Sequence, residues 1–454
     1  MKCGEELDPL VSPCTTIVPR IHALERGPWA YGPHTGERHG GRPIARSVDL
    51  LDSCCGCAHL LPLDAARALA LAEVGSLPAE DLPIGEIGGR ILKRSVIATT
   101  SLPPFDSAAM DGFAVRMGDL QPQEARGAVP EGGAPVDFAR VPIGSAHPIC
   151  TGMPIPAGFD AVVPVERVRP SDGWLEIGGV VRSGDHVRRA GEEIRAGELA
   201  LPAGARISPP AIGLLAGLGV SPVLVAAVPR VGILVTGEEL CAGDGPRASD
   251  AVIDPNGPML AALVEAAGGA VVGQLLVADQ PDAIQAALER LADDCDLVLT
   301  SGGASVGTRD HLIAVVRGCG ELLVHQLDLK PGRPTSLGRV GTTPTVLLPG
   351  NPFAALIGFE ALGRPIVRSL AGDSTPLRPR ISARADAPVV HRAGRMECVP
   401  VQVTWVSGIA VAAPIGHHGS GMLRGAAVAD GIAIIEAGRE RIAEGDEVTV
   451  ELWI

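Results

Sequence analysis

The stretch TSGGASVGTRD, residues 300–310, follows a short apolar run (Asp296 to Thr300) and combines three glycines, two serines and a closing aspartate. Gly302, Gly303 and Gly307 let backbone N–H groups approach an anion without a Cβ in the way. Ser301 and Ser305 add hydroxyls, and Asp310 supplies a carboxylate. Such a loop suits phosphate together with a metal ion; a simple helix N-cap at Asp310 is the plainer alternative. Two more acids stand at comparable places, Glu239 (beside Glu238) after VGILVTG and Asp279 within LLVADQPDAI. Carboxylates gathered beside an anion loop repel one another unless a hard cation lies between them, and Mg²⁺ is the usual choice. The competing expectation is that each acid caps the helix that follows it.

LDLKPGRP, residues 327–334, places Lys330 before a Pro-Gly turn and Arg333 just after it. The chain has only three lysines (Lys2, Lys93 and Lys330) among its 38 Lys and Arg residues, so a lysine in a loop motif points to contact with an anion. LLPGNPFAALIGFEAL, residues 347–362, reads as strand, turn and helix, with Pro349 in the turn, Asn351 as N-cap and Pro352 at the first helical position. The free N–H groups of that helix start could also hold phosphate. Upstream, SLPPFDSAAMDGFAV, residues 101–115, holds Asp106 and Asp111 in a segment too apolar for an ordinary surface loop. Those carboxylates need partners or a task.

The elements that would position these loops follow from periodicity. From Val231 onward, strands at 231–235, 270–277 and 296–300 alternate with helices at 257–267, 281–293 and 310–317, the pattern of a parallel sheet covered on both faces. Ligands of such a sheet bind at the carboxyl ends of its strands, where these loops fall. LPLDAARALALAEV predicts a helix over 63–74, started at Asp64. Short Val- and Ile-containing runs between about 110 and 200 predict a small β-rich domain. A helix and strand over 209–227 are expected to return beside the first helix, making that domain an insertion. CVPVQVTWV, IAVAAPI and EVTVELWI give a C-terminal β domain after about residue 378.

Composition narrows the function. The chain has 454 residues, a formal net charge of −14 and only 2% aromatic residues, which disfavours nucleic acid or an anionic membrane as partner and removes base-stacking surfaces. No secretory signal pattern is present, and the longest uncharged run, Ile207 to Pro229, is divided by four prolines, so a cytoplasmic protein with no membrane span is expected. Residues 1–60 read as a disordered extension, rich in Gly, Pro, Arg and His. Its Cys54, Cys55, Cys57 and His59 are of metal-ligand type but lack paired spacing, which leaves zinc binding there the minor alternative.

Together these segments resemble the molybdopterin molybdenumtransferase family, the MoeA and gephyrin E-domain proteins, from about Leu61 to the C-terminus. PPFDSAAMDGFAV is similar to the family's PPFDNSAMDGYAV, TSGGASVGTRD to SGGVSVGxxD, and KPGRP and LPGNP to KPGKP and LPGNP. The resemblance implies a multidomain α/β protein. Its parts would be an N-terminal linker domain (61–109 and 196–228), an inserted β domain (110–195), a doubly wound, mostly parallel MogA-like molybdopterin-binding domain (229–375) and a barrel-like C-terminal β domain (376–454). It implies insertion of molybdate into adenylylated molybdopterin with Mg²⁺ and release of AMP. It also implies a homodimer whose site lies between the sheet domain of one subunit and the N-terminal domains of its partner, with a molybdopterin adenylyltransferase as a further partner. Carried over by motif, Asp111, Thr151, Asp279, Asp310, Lys330 and Ser420 take catalytic positions. Gly302, Gly303, Ser305, Arg333, Pro349, Asn351 and Pro352 take substrate-binding positions, and Glu239 and Asp310 would hold Mg²⁺. Ser107 and Ala108, Arg333, Gln326 and Pro400 depart from the family pattern, the last two standing where lysine and arginine are usual. A paralogue that carries molybdopterin without turnover, or a gephyrin-like scaffold, therefore stays open, as does molybdate against tungstate.

Overall fold

The computed structural model describes residues 60–123, 138–241, 251–303, 311–391, 394–416 and 419–453. The N-terminal extension with its cysteine cluster, and Ser305 and Asp310, therefore lie outside the described residues. Among the described residues no helix is long and apolar enough to cross a membrane.

A six-stranded sheet carries the ligand loops. Its order is Ala270–Val277, Arg230–Thr236, Leu297–Ser301, Thr343–Leu348, Ser336–Val340, Gly320–Val324. The first four strands run parallel, and Ser336–Val340 is antiparallel to both its neighbours. The central strands are buried along nearly their whole length, as strands covered on both faces must be. Successive residues serve opposite faces: Ile233 and Val235 pack with Leu260, Val264, Phe353 and Ile366, whereas Leu234 packs with Ile284, Leu288, Leu312 and Val316. Ala270–Val277, at the edge, alternates between half-buried and exposed positions over most of its length.

The helices fall at Asn256–Ala266, Pro281–Asp294 and His311–Cys319, close to expectation. The helix begun by Pro352 departs from it. Rather than ending near Leu362, it continues to Leu370, passing Pro365 by way of a wider π-type turn at Phe359–Gly363. Proline has no N–H to give the preceding turn, and the looser spacing absorbs that gap.

The segment after the β-rich region does return upstream, but not onto the first helix. Val223–Ala226 pairs antiparallel with Ala79–Leu82, and Leu215, Val223 and Val225 share a core with Ile87 and Leu92. The first helix, Leu63–Ala72, instead buries Leu63, Ala66 and Ala70 in the same core as Phe359 and Ile366. Its N-cap is Pro62, with Asp64 inside the first turn and making no cap.

Five C-terminal strands close into a barrel. Met396–Val406 pairs with Ile409–Pro414, which leads through Arg380–Ala385 and Glu447–Leu452 to Gly431–Ile435, and this last strand pairs back on Met396–Val406. The interior is filled by small and β-branched side chains such as Ala383, Val399, Val401, Ala412 and Val450. Leu329–Lys330 adds to the barrel as a short parallel strand that sets Lys330 opposite Glu397. The KPG loop is thereby fixed to the barrel.

Candidate functional site

A cavity of about 390 Å³ opens at the carboxyl ends of the parallel strands. Most of its lining comes from strand ends and the turns that follow them, namely Thr236, Gly237 and Glu239, Asp279, Ser301 to Gly303, and Pro349 to Asn351, with Leu240, Pro255, Asn256 and Pro334 completing it. One buried amide holds two of these turns together. Asn256, 3% exposed at the start of its helix, donates from Nδ2 to Ser301 Oγ and to the Gly350 carbonyl, both at 2.8 Å. Ser301 Oγ in turn donates to the Pro349 carbonyl at 3.3 Å. The Asn256 helix is itself started by Asp254, whose carboxylate accepts from the Asn256 and Gly257 N–H groups. Gly302 sits at φ +96°, and a side chain there would collide with the Thr236 carbonyl oxygen, so only glycine lets the loop lie this close to its neighbour.

The cavity's polar lining is rich in oxygen acceptors. Asp279 Oδ1, Thr236 Oγ1 and Asn256 Oδ1 are buried and have no hydrogen-bond partner among the described residues. Glu239 adds a second, exposed carboxylate to the wall. Buried polar atoms normally find partners, so three without one among the residues lining a single cavity mark a place whose polar groups the described residues do not satisfy. Asp279 is not a helix cap, because the helix after it starts at Gln280 and Pro281 without a side-chain cap. Among the described residues no three His, Cys, Asp or Glu side chains form a metal-holding group. The third expected acid, Asp310, falls outside those residues.

A second cavity, about 340 Å³, adjoins the first and shares Pro334, Pro349 and Asn351 with it. Its lining is cationic, with Lys330, Arg333 and Arg395, together with Glu397 and Ser420. Asn351 stands at the N-cap position, but its side chain caps nothing. Nδ2 donates to Ser420 Oγ at 3.1 Å, tying the sheet turn to the barrel loop. Lys330 does not face the cavity as an isolated charge: its Nζ lies 2.8 Å from Glu397 Oε1. Arg333 Nε donates to Gln326 Oε1 at 3.1 Å, so two of the positions that depart from the family pattern bind each other. Pro400 is buried in the barrel opposite Ile432 and lines neither cavity.

Glu239, Asp279, Gly302, Gly303, Pro349 and Asn351 thus meet in one cavity, and Lys330, Arg333, Pro349, Asn351 and Ser420 in the next. Pro352 heads its helix and lines neither. Asp111 and Thr151 lie elsewhere, joined to one another: Asp111 Oδ1 accepts from the Thr151 N–H at 2.6 Å and from Oγ1 at 2.8 Å. The backbone bond first, and the hydroxyl second, hold the Asp111 carboxyl below the usual carboxylate range. The expectation that this segment is too apolar for the surface fails. Asp111 is exposed, and so are Phe105, Met110 and Met153. Asp106 binds Arg189 and the Ala190 N–H, which is a purely local fastening. Thr236, Asn256, Arg395 and Glu397 were not singled out from sequence. An Asn-Gly-Pro helix start just after VID was a usable signal for Asn256.

Three family models match the chain in order: the MoeA N-terminal region (domains I and II) over residues 61–219, a "probable molybdopterin binding domain" over 232–369, and the MoeA C-terminal region (domain IV) over 382–453. Molybdopterin molybdenumtransferase 2 of Mycobacterium tuberculosis is 35% identical over 389 residues, covering 81% of this chain and 94% of the relative. The Haemophilus influenzae molybdopterin molybdenumtransferase is 31% identical, covering 86% and 98%. Two structures of a molybdopterin biosynthesis MoeA protein from Pyrococcus horikoshii cover 87% of this chain and all of their own, with TM-scores of 0.68 and 0.70 at 29% and 26% identity. The paired cavities sit within a chain that matches these relatives almost end to end, and the chain belongs to the molybdopterin molybdenumtransferase family.

Proposed function

We propose that this chain inserts molybdate into adenylylated molybdopterin and releases AMP, with Mg²⁺ as cofactor. The observation that carries this reading is the junction of an acceptor-rich cavity and a cationic one across Pro334, Pro349 and Asn351. A substrate with a phosphate bridge between two large groups needs both: a place for the counter-ion and cations for the oxyanions. Asp279, with a buried carboxylate oxygen left open, and Glu239 beside it suit a hard cation, and Asp310 is assigned as a ligand with Glu239 by motif. Mg²⁺ bound there would neutralise phosphate charge. Lys330, Arg333 and Arg395 would hold the anionic groups, the backbone at Gly302 and Gly303 would offer N–H donors, Ser305 is assigned a hydroxyl donor's part by motif, and Asn351 and Ser420 would align the substrate where sheet meets barrel. Catalysis in this reading is positioning and electrostatic, with no side-chain nucleophile.

The domain division set out from the sequence belongs to the same proposal, and the order of the matched regions supports it. So does a cytoplasmic homodimer. Asp111 and Thr151 line neither cavity of their own chain yet lie exposed among Phe105, Met110 and Met153, as residues completing a partner subunit's site would. A molybdopterin adenylyltransferase would supply the substrate.

The test is incubation of full-length protein, and of a form starting near Leu61, with adenylylated molybdopterin, Mg²⁺ and either molybdate or tungstate. AMP and active cofactor should appear with at least one oxyanion. Tight pterin binding without AMP would instead indicate a carrier.

A further inference from the structure

Glu397 is 3% exposed and lies at the start of the long barrel strand, where Leu329–Lys330 pairs alongside it. A buried carboxylate is costly unless its oxygens are engaged. One oxygen lies 2.8 Å from Lys330 Nζ; the other lies 2.6 Å from Nδ1 of His391, whose side chain is fully buried. The second ring nitrogen of His391 is buried with no hydrogen-bond partner among the described residues. Toward an ionised carboxylate, which can only accept, Nδ1 is the donor, and that bond sets the carboxylate's orientation. The sequence runs from a buried imidazole, through a buried carboxylate, to a half-exposed ammonium at the cationic cavity.

We propose that His391 and Glu397 are positioning residues for Lys330. His391 fixes the carboxylate's orientation, and the carboxylate holds the Lys330 ammonium by an ion pair at the wall of the cavity. Without that anchor the four-carbon stem is free to rotate, and the entropy of holding it falls on substrate binding. This deepens the proposed function and rests on Lys330 contacting the substrate's anionic part. The geometry of the anchor itself does not depend on that reading.

Two measurements separate these claims. Acetylation of the full chain by an N-hydroxysuccinimide ester, read by peptide mass spectrometry, needs no substrate. With only three lysines, Lys93, bonded to Ser76 and Leu77, serves as internal reference. Relative to Lys93, Lys330 should be acetylated about fivefold faster in Glu397→Gln and about threefold faster in His391→Phe, the size of one charge-assisted bond at a half-exposed amine. His391→Gln, which can still donate an N–H, should stay close to wild type. Unchanged Lys330 labelling in a folded His391→Phe protein would overturn the proposal, and that variant decides the matter if Glu397→Gln does not fold. In the second measurement, His391→Phe should raise KM for adenylylated molybdopterin about fivefold with kcat little changed, and should have no such effect in a Lys330→Met background. An equal rise in both backgrounds would show that His391 acts only on the barrel, and would likewise overturn the proposal. Altered labelling in a protein that releases no AMP would leave the anchor standing and remove the proposed reaction.

Discussion

Two regions of this molecule treat buried polar groups in opposite ways. At the seam between the first helix and the barrel, Arg67, 4% exposed, donates to both oxygens of Glu451 at 2.8 and 3.2 Å and to the Ala361 carbonyl at 3.2 Å. Arg380 donates twice more to Glu451, at 3.0 and 2.8 Å, and Arg378 forks onto Glu360 with two bonds of 3.0 Å. Burial pushes the Glu451 carboxyl up, but the bonds and charges of Arg67 and then Arg380 outweigh it and leave the group below the usual glutamate range. At the carboxyl ends of the sheet the acceptors of Asp279, Thr236 and Asn256 are buried and open. A polar cluster whose partners all come from the chain holds the fold together, whereas one that leaves acceptors open is arranged for something the chain does not supply.

The sharpest way to break this contrast is to remove a charge on each side. Glu451→Gln leaves two arginines facing a neutral group, one of them buried, and should cost about 3 kcal/mol of stability, measured by denaturant unfolding. AMP release per folded molecule should be little changed. The sign with pH is fixed. Because the folded carboxyl lies below its ordinary value of 4.5, its contribution is complete above that value and disappears as pH falls through the lower folded one. The stability gap between wild type and Glu451→Gln should therefore narrow below that pH. A gap that widens on acidification would contradict the assignment.

Asp279→Asn makes the reverse prediction. AMP release should fall about a hundredfold, as when a preorganised electrostatic contact is lost, while the unfolding midpoint stays the same or rises slightly. Marked destabilisation would make Asp279 part of the framework and erase the distinction. Asp111→Asn should be milder, lowering AMP release about tenfold through the weakened tie to Thr151. Mixed with a protomer inactivated by Asp279→Asn, it should regain activity at one of the two sites if the partner subunit supplies Asp111. At the small end, Glu80→Gln removes the partly exposed pair with Arg90 and should change stability by less than about 1 kcal/mol.

Much of this was legible in the chain because the relevant signals are local. Alternating apolar runs located the parallel strands, and strand-end placement alone gathered Glu239, Asp279, Gly302 and Asn351 around one cavity. What escaped was what depends on contacts across long sequence separations. The Arg67 to Glu451 bond spans 384 positions: helical periodicity puts Arg67 on the buried face with Leu63, Ala66 and Ala70, but nothing local names the carboxylate that receives it. The helix start at Asn256 is visible in the sequence, but not that its amide links turns near residues 301 and 350. Lys330 stood out as a rare lysine, but its carboxylate partner lies on a barrel strand that only the fold brings alongside. The helix begun at Pro352 outruns Leu362 because a π-type turn carries it past Pro365, a feature that answers to packing and leaves no mark in composition.

In this reading the acidic cavity at the carboxyl ends of the strands receives a cation together with the substrate's phosphates. Binding of adenylylated molybdopterin to wild type and to Asp279→Asn, measured with Mg²⁺ and again with a chelator, tests this most directly. Wild type should bind tightly and lose at least tenfold in affinity without Mg²⁺, and Asp279→Asn should bind weakly and respond little to the metal. Equal affinity in all four conditions would contradict it.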